Sequence, residues 1–325
     1  MNNQDQIQAK STGKGPVERG AIADFLFRMS DSDLWYSFWH TPIAVGSAAL
    51  SLILIIGAIF APVIAPFNPF DLANLDLMDS NLPPIWQADG DPRFWLGTDD
   101  QGRDILSAVL YGSRISLFVG FASVAISLVA GVGLGLVSGY LGGRVDAIIM
   151  RIADVQLSFP AILIALLVDG VIRNIMPKEV HEELALYVII FAIAISGWVQ
   201  YARTVRSSVM AEKVKEYVQA GQVIGLGSWA IMWRHILPNI LGPVFVIATL
   251  HLALAIITEA TLSFLGVGLP PTTPSLGTLI RIGNEYLFSG EWWITIFPGA
   301  ALVLIALSVN LFGDWLRDAI NPKLL

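Results

Sequence analysis

The chain has 325 residues, 55% of them hydrophobic and 14% charged, with a formal net charge of -7 and no cysteine. A mean hydropathy of +0.66 lies far above that of a soluble domain and marks an integral membrane protein. The acidic balance without a clustered basic face excludes nucleic acid as a partner, and the missing cysteines exclude a disulfide framework, a thiolate metal site and a cysteine nucleophile.

A helix needs about 20 apolar residues to cross the hydrocarbon core. Runs of that kind occur at Pro42 to Ile64, Ile115 to Leu141, Ile148 to Val168, Leu184 to Ala202, Ile240 to Leu262 and Trp292 to Gly313, so six spans and an all-α fold are expected. The polar and then aromatic start does not have the pattern of a cleaved signal peptide, so the first run is expected to remain as an anchor. With the N-terminus inside, thirteen Lys and Arg fall on the inner side and six on the outer, and the outer loop carries eight aspartates between Asp71 and Asp104. That bias places both termini in the cytoplasm. The expected organisation is a cytoplasmic segment at 1–41, an anchor helix at 42–66, an external loop at 67–114, a five-helix core at 115–313 with a cytoplasmic loop at about 203–238, and a cytoplasmic tail at 314–325.

The cytoplasmic loop is half polar and broken by glycines. Val214, Tyr217, Val218 and Gly221 recur at helical spacing and predict one apolar stripe. Gly225 and Gly227 supply a break, Ser228 is placed to cap a second helix, and Trp229, Met232, Trp233 and Ile236 form a second stripe that stops at Pro238. Such a hairpin can lie on lipid headgroups or rest against a protein, and the pattern alone leaves both open.

Within the spans, Gly131, Gly135 and Gly139 recur every four residues and predict close helix packing, against another span or a partner subunit. Arg151 and Asp154, three residues apart near the cytoplasmic start of the third span, are expected to form a structural ion pair, with a proton relay as the alternative. Glu259 near the end of the fifth span is a candidate for a transport pathway or a subunit interface, and His251 is read as a buried packing residue. Asp99, Asp100 and Asp104 have Arg103 among them and depart from a calcium loop, so a hydrogen-bonded turn is expected there. Catalytic patterns fail in turn. No phosphate-cradling G-x-x-x-x-G-K-[ST] or nucleophile elbow occurs, and Ala185 stands where a zinc helix beginning at His181 and Glu182 needs its second histidine.

The loop resembles the cytoplasmic loop of ATP-binding-cassette importer permeases, whose motif runs Glu-Ala-Ala, three residues, Gly, nine residues, then Ile-x-Leu-Pro. Gln219, Ala220, Gly221, Gly225, His235, Leu237 and Pro238 occupy those positions with the spacing kept, Gln219 replacing the acid and Gly221 the second alanine. "LGTDDQGRDILSAVLYGSRISL", "LSFPA", "TEATLSFLGVGLPPTTPSLG" and "GDWLRDAINPKLL" resemble the second permease subunit of dipeptide and oligopeptide importers, with Leu276 where that branch usually has tryptophan. The resemblance implies a type I importer core in the cytoplasmic membrane that binds no cofactor and no metal and is not an enzyme. It also implies a heterodimer with a second permease, two ATPases that use the ATP and dock on the loop through Tyr217 and the motif residues, and an external peptide-binding protein. A permease of the same branch for glutathione or nickel complexes is an alternative, as is an ion-coupled secondary transporter or channel. The latter is expected to show related halves with broken helices, and no such repeat is found.

Overall fold

The computed structural model describes residues 33–70, 75–270 and 273–320, so parts of the N-terminal segment and of the C-terminal tail lie outside the described residues. Among them the chain is helical, with an isolated bridge between Thr98 and Asp104 in place of any strand. A short helix, Asp33–His40, leads into α1, Pro42–Ile59. There follow α2, Ile105–Leu141; α3, Gly143–Leu157; α4, Ala161–Ile175; and α5, Lys178–Glu212. Then come the short α6, Glu216–Val223; α7, Leu237–Phe264; α8, Leu276–Tyr286; and α9, Trp293–Ile320.

Five of the described helical stretches are long and apolar enough to cross a membrane, and a sixth span exists only if α3 and α4 count as one, although they are bent by 92° at their junction. The bend lies at Pro160, which has no N–H to continue an α-ladder and pushes Phe159 out of helical geometry. The expected third span is therefore a broken one.

Other helices outrun their apolar runs. The second was expected from Ile115, yet α2 begins at Ile105, where the Asp104 carboxylate accepts from the Ser107 backbone N–H at 2.8 Å and from its hydroxyl at 2.6 Å. Hydropathy cannot register that start, because the first turns are held by a cap. At 37 residues α2 is about 55 Å long, far more than the hydrocarbon thickness. α5 likewise continues to Glu212, ten residues beyond the predicted end at Ala202. The aspartates before α2 act as turn residues: Asp99 accepts backbone N–H groups of Gln101 and Arg103 at 2.9 Å each. Burial pushes both Asp99 and Asp104 above the usual carboxylate range.

The seam between α2 and α5 is the most extensive helix contact among the described residues. A Cβ on Gly131 would lie 2.5 Å from the Trp198 carbonyl, on Gly135 2.7 Å from that of Ala202, and on Gly139 2.8 Å from that of Arg206. All three glycines thus serve packing inside this chain, where backbone meets backbone and no side chain fits. Around the seam, Val132, Leu136, Tyr201, Val205 and Val209 are buried with Val218, Ile231, Ile236 and Ile240.

Candidate functional site: the α6 segment and its anchorage

α6 hangs on the α2/α5 seam. Its Val218 is fully buried in the seam cluster, and Gly221 is buried beside it. The rest of the predicted stripe is not: Val214 is 68% exposed and Tyr217 half-exposed. The reason is length, since eight residues give two turns and only one side of them reaches the bundle.

Hydrogen bonds fix the entry to α6. Glu212 at the end of α5 accepts from Lys215 Nζ and Tyr217 Oη, both at 2.6 Å, and Lys213 Nζ donates to the Tyr140 carbonyl at 3.0 Å near the end of α2. Burial and the neighbouring Glu212 push the Tyr217 phenol up to about 12, so at neutral pH it keeps the proton it donates. Asn239 Nδ2 reaches Tyr217 Oη at 3.3 Å and the His235 carbonyl at 2.7 Å, which ties α6 to the start of α7.

The exit is a Schellman turn. The Leu226 N–H donates to the Gly221 carbonyl at 3.0 Å and the Gly225 N–H to that of Gln222 at 3.1 Å, while Gly225 has φ +82°. Gly225 is required by this left-handed position, a more specific reason than the flexible break read from sequence. Gly221 differs: a Cβ there would meet Leu226 Cδ1 at 3.5 Å and Ile231 at 3.8 Å, ordinary contacts that leave room for the family's alanine.

Two expectations beyond the turn are corrected. Ser228 does not cap a helix; Gly227 holds the cap position and no side-chain cap bond forms. Pro238 does not stop the second helix either. The chain runs from Ser228 to Phe264 as one helical stretch through a π-helical turn, Ile231–Ile236, placing Pro238 in the first turn of α7. A widened turn relieves the clash and missing N–H that proline brings to an ordinary helix. In the second stripe Met232 and Ile236 are buried, whereas Trp229 and Trp233 are exposed with ring centroids 5.3 Å apart. His235 and Leu237 are half-buried, and Gln219, Ala220 and Pro238 are exposed.

The outer side of the segment is apolar and uncovered: Val223 is 87% and Ile224 74% exposed, and Ala220 and Leu226 are exposed as well. The segment thus has a buried root and a bare apolar tip presented by a rigid turn.

Charged groups elsewhere do not sit as the sequence suggested. Asp154 pairs with Arg203 of α5 and not with Arg151, because the α3/α5 crossing brings Arg203 to it. Arg206 holds Asp146 bidentately at 2.5 and 2.6 Å, with the Ser138 hydroxyl also donating. Glu259 is 0% exposed inside the bundle. Ser116 donates to Oε2 at 2.7 Å and Ser263 to Oε1 at 2.8 Å, and the Leu276 N–H at the start of α8 donates to Ser116 at 3.2 Å. The positive end of α8 thereby reaches the carboxylate through a serine. His251 is buried, with Nδ1 3.0 Å from Tyr201 Oη, beside Gly197 where no Cβ fits. Sequence separations of 60 residues for Asp146 and Arg206 and 143 for Ser116 and Glu259 hide these partners from local pattern.

A broken-helix, multi-span bundle that carries a short helix on a polar loop has the build of a multi-pass membrane protein. Residues 131–325 match the model of the binding-protein-dependent transport system inner membrane component, and residues 32–84 match the N-terminal TM domain of oligopeptide transport permease C. The chain belongs to this family of binding-protein-dependent transport permeases and is a multi-pass membrane permease of a bacterial transport system. It is 38% identical over 292 residues to the di/tripeptide transport system permease protein DppC of Pseudomonas aeruginosa strain UCBPP-PA14, covering 90% of this chain and 92% of that one. It is 40% identical to the dipeptide permease DppC of Haemophilus influenzae, covering 90% and 94%, and 37% identical to the oligopeptide permease OppC of Bacillus subtilis, covering 90% and 89%. A solved structure of inward-facing MetNI methionine ABC transporter has a TM-score of 0.49 at 19% identity, covering 67% of this chain and 96% of that one.

Proposed function

We propose that the chain is the second of two different permease subunits in an ATP-driven importer of di- or oligopeptides across the cytoplasmic membrane. ATP is bound and hydrolysed by two partner ATPases and not by this chain, an external binding protein delivers the peptide, and both termini face the cytoplasm. The peptide class rests on the functions of relatives at 37–40% identity; a glutathione permease of Pectobacterium atrosepticum is also similar, at 34%. The carrying observation for mechanism is the rooted helix with a bare tip. Val218 binds α6 into the α2/α5 seam while Val223 and Ile224 stand free. A groove on an ATPase that takes this tip can push the seam directly, since the Schellman turn and the Glu212 contacts prevent α6 from yielding alone. Closing of the ATPases then tilts the long helices between inward and outward opening, a switch between two rigid arrangements.

The reading is tested on the reconstituted transporter. Ala220→Asp places a charge at the tip without touching the root, so uptake and ATPase retention are expected to be lost while the chain remains in the membrane. Full uptake with both ATPases bound would overturn the coupling role of α6. A reporter inserted within residues 75–100 is expected outside and one fused after Leu325 inside; both on one side would refute the topology.

A further inference from the structure

A cavity of ≈ 530 Å³ lies between α1 and α2 at the end of the bundle that carries the 75–104 loop. Its walls include Ala58, Ile59, Tyr111, Phe118 and Phe121, with Arg114 the charged group among the lining residues. The volume lies within the range of small-molecule sites. It opens on the outer surface of the chain: only 17% of the α1 window is buried inside the chain, and Ile59, Phe118 and Phe121 are 58%, 53% and 47% exposed.

Arg114 sits at a depth on α2 where a ligand is at hand. It immediately precedes the uninterrupted apolar run that starts at Ile115, about 15 Å along the helix from its cap at Asp104. A charged side chain at the start of such a run is expected where hydrocarbon meets headgroups. Among the described residues no carboxylate lies within ion-pair distance of Arg114 and no acceptor takes its donors; Arg93, Arg103, Arg173, Arg203 and Arg206 each have an acid, and of the arginines without one, Arg114 lines the cavity. A guanidinium has five donors, is always charged, and matches a phosphate oxygen pair with its planar fork. Arg114 is exposed on the chain, and a guanidinium that faces hydrocarbon in place of water without an acceptor is unfavourable.

From this we infer that the α1/α2 cavity is a phospholipid site, in which Arg114 holds the headgroup phosphate of an anionic lipid and the aromatic and aliphatic walls take an acyl chain. A net negative headgroup fits better than a zwitterionic one, because the ammonium of phosphatidylethanolamine would bring a second cation to Arg114. The bound lipid fills the gap between the anchor helix and the core, joining two elements that otherwise touch over part of their length. The inference is independent of which substrate is transported.

The test uses the full chain in nanodiscs holding equal phosphatidylglycerol and phosphatidylethanolamine, released for native mass spectrometry. Wild type is expected to retain phosphatidylglycerol in preference to phosphatidylethanolamine. Arg114→Gln is expected to reduce that retention about tenfold, the value of one charge-assisted contact, with Arg114→Lys intermediate. Ile59→Trp, which narrows the mouth without altering charge, supplies a second variant should Arg114→Gln fail to fold, and it too is expected to lower retention. Added inorganic phosphate is expected to leave it unchanged. Equal retention of both lipids by wild type, or undiminished phosphatidylglycerol in both Arg114→Gln and Ile59→Trp, would overturn the site. So would loss of a co-purifying protein on Arg114→Gln with lipid retention unaltered, which would mean that a protein surface covers the cavity.

Discussion

The α2/α5 seam and the α6 segment both depend on glycine, for opposite reasons. In the seam, Gly131, Gly135 and Gly139 have ordinary helical conformation and no space: the atoms a Cβ would strike are backbone oxygens that cannot move aside. At the tip, Gly225 has open space around it, since a Cβ there would meet nothing within 4 Å, but a backbone conformation that other residues adopt at a cost. A substitution in the seam therefore fails by collision and is felt through the whole bundle. One at the tip fails locally, by strain, and leaves the spans in place.

The difference can be broken or sharpened by mutation. The largest effect is expected in the seam: Gly135→Leu should abolish the folded chain, and Gly135→Ala should lower stability by about 1–3 kcal/mol through overpacking. Thermal unfolding of the detergent-solubilised protein reads this directly, and an unchanged midpoint for Gly135→Ala would mean the helices can separate freely. Next comes Glu259→Ala, which deprives Ser116 and Ser263 of their buried acceptor and is expected to cost about 1–3 kcal/mol. Glu259→Gln keeps an acceptor oxygen and is expected to recover much of the loss; equal damage from both would show that the negative charge itself matters.

At the tip, Gly225→Ala is expected to cost about 1 kcal/mol through its left-handed backbone and to reduce uptake more than it reduces thermal stability. Should it lower the unfolding midpoint as much as Gly135→Ala, the tip and the seam would form one cooperative unit after all. The smallest effects are expected for Gly221→Ala and Gln219→Glu. The first adds a methyl at ordinary contact distance, and the second alters an exposed side chain whose amide reaches only the Val214 carbonyl. Uptake by both should match wild type, and a marked loss for Gly221→Ala would show that the tip is packed more closely in the assembled transporter than in this chain.

Only part of the loop's chemistry could be read from residue spacing, where its determinants are local. Gly225 lies in the turn it creates, and Tyr217 finds Glu212 five residues away. Where local rules failed, a second local event intervened: the π turn at Ile231–Ile236 lets the helix continue through Pro238. The expected pair of Arg151 and Asp154 failed for another reason. Helical spacing places two residues on one face, but it does not say which other helix will cross that face, and α5 brings Arg203 there.

By itself the sequence determined the all-α class, the apolar runs that must be removed from water, and the break around Gly225, since hydropathy and backbone conformation are properties of short segments. It could not determine how the runs pair. Only the tertiary structure decided that the Gly131, Gly135 and Gly139 face meets α5 of the same chain, that LSFPA breaks a span, and that Glu259 is enclosed by Ser116, Ser263 and the start of α8. In lipid the hydrophobic effect drives helices into the membrane without selecting their neighbours, so the choice falls to close packing and buried hydrogen bonds, which depend on residues far apart in the chain.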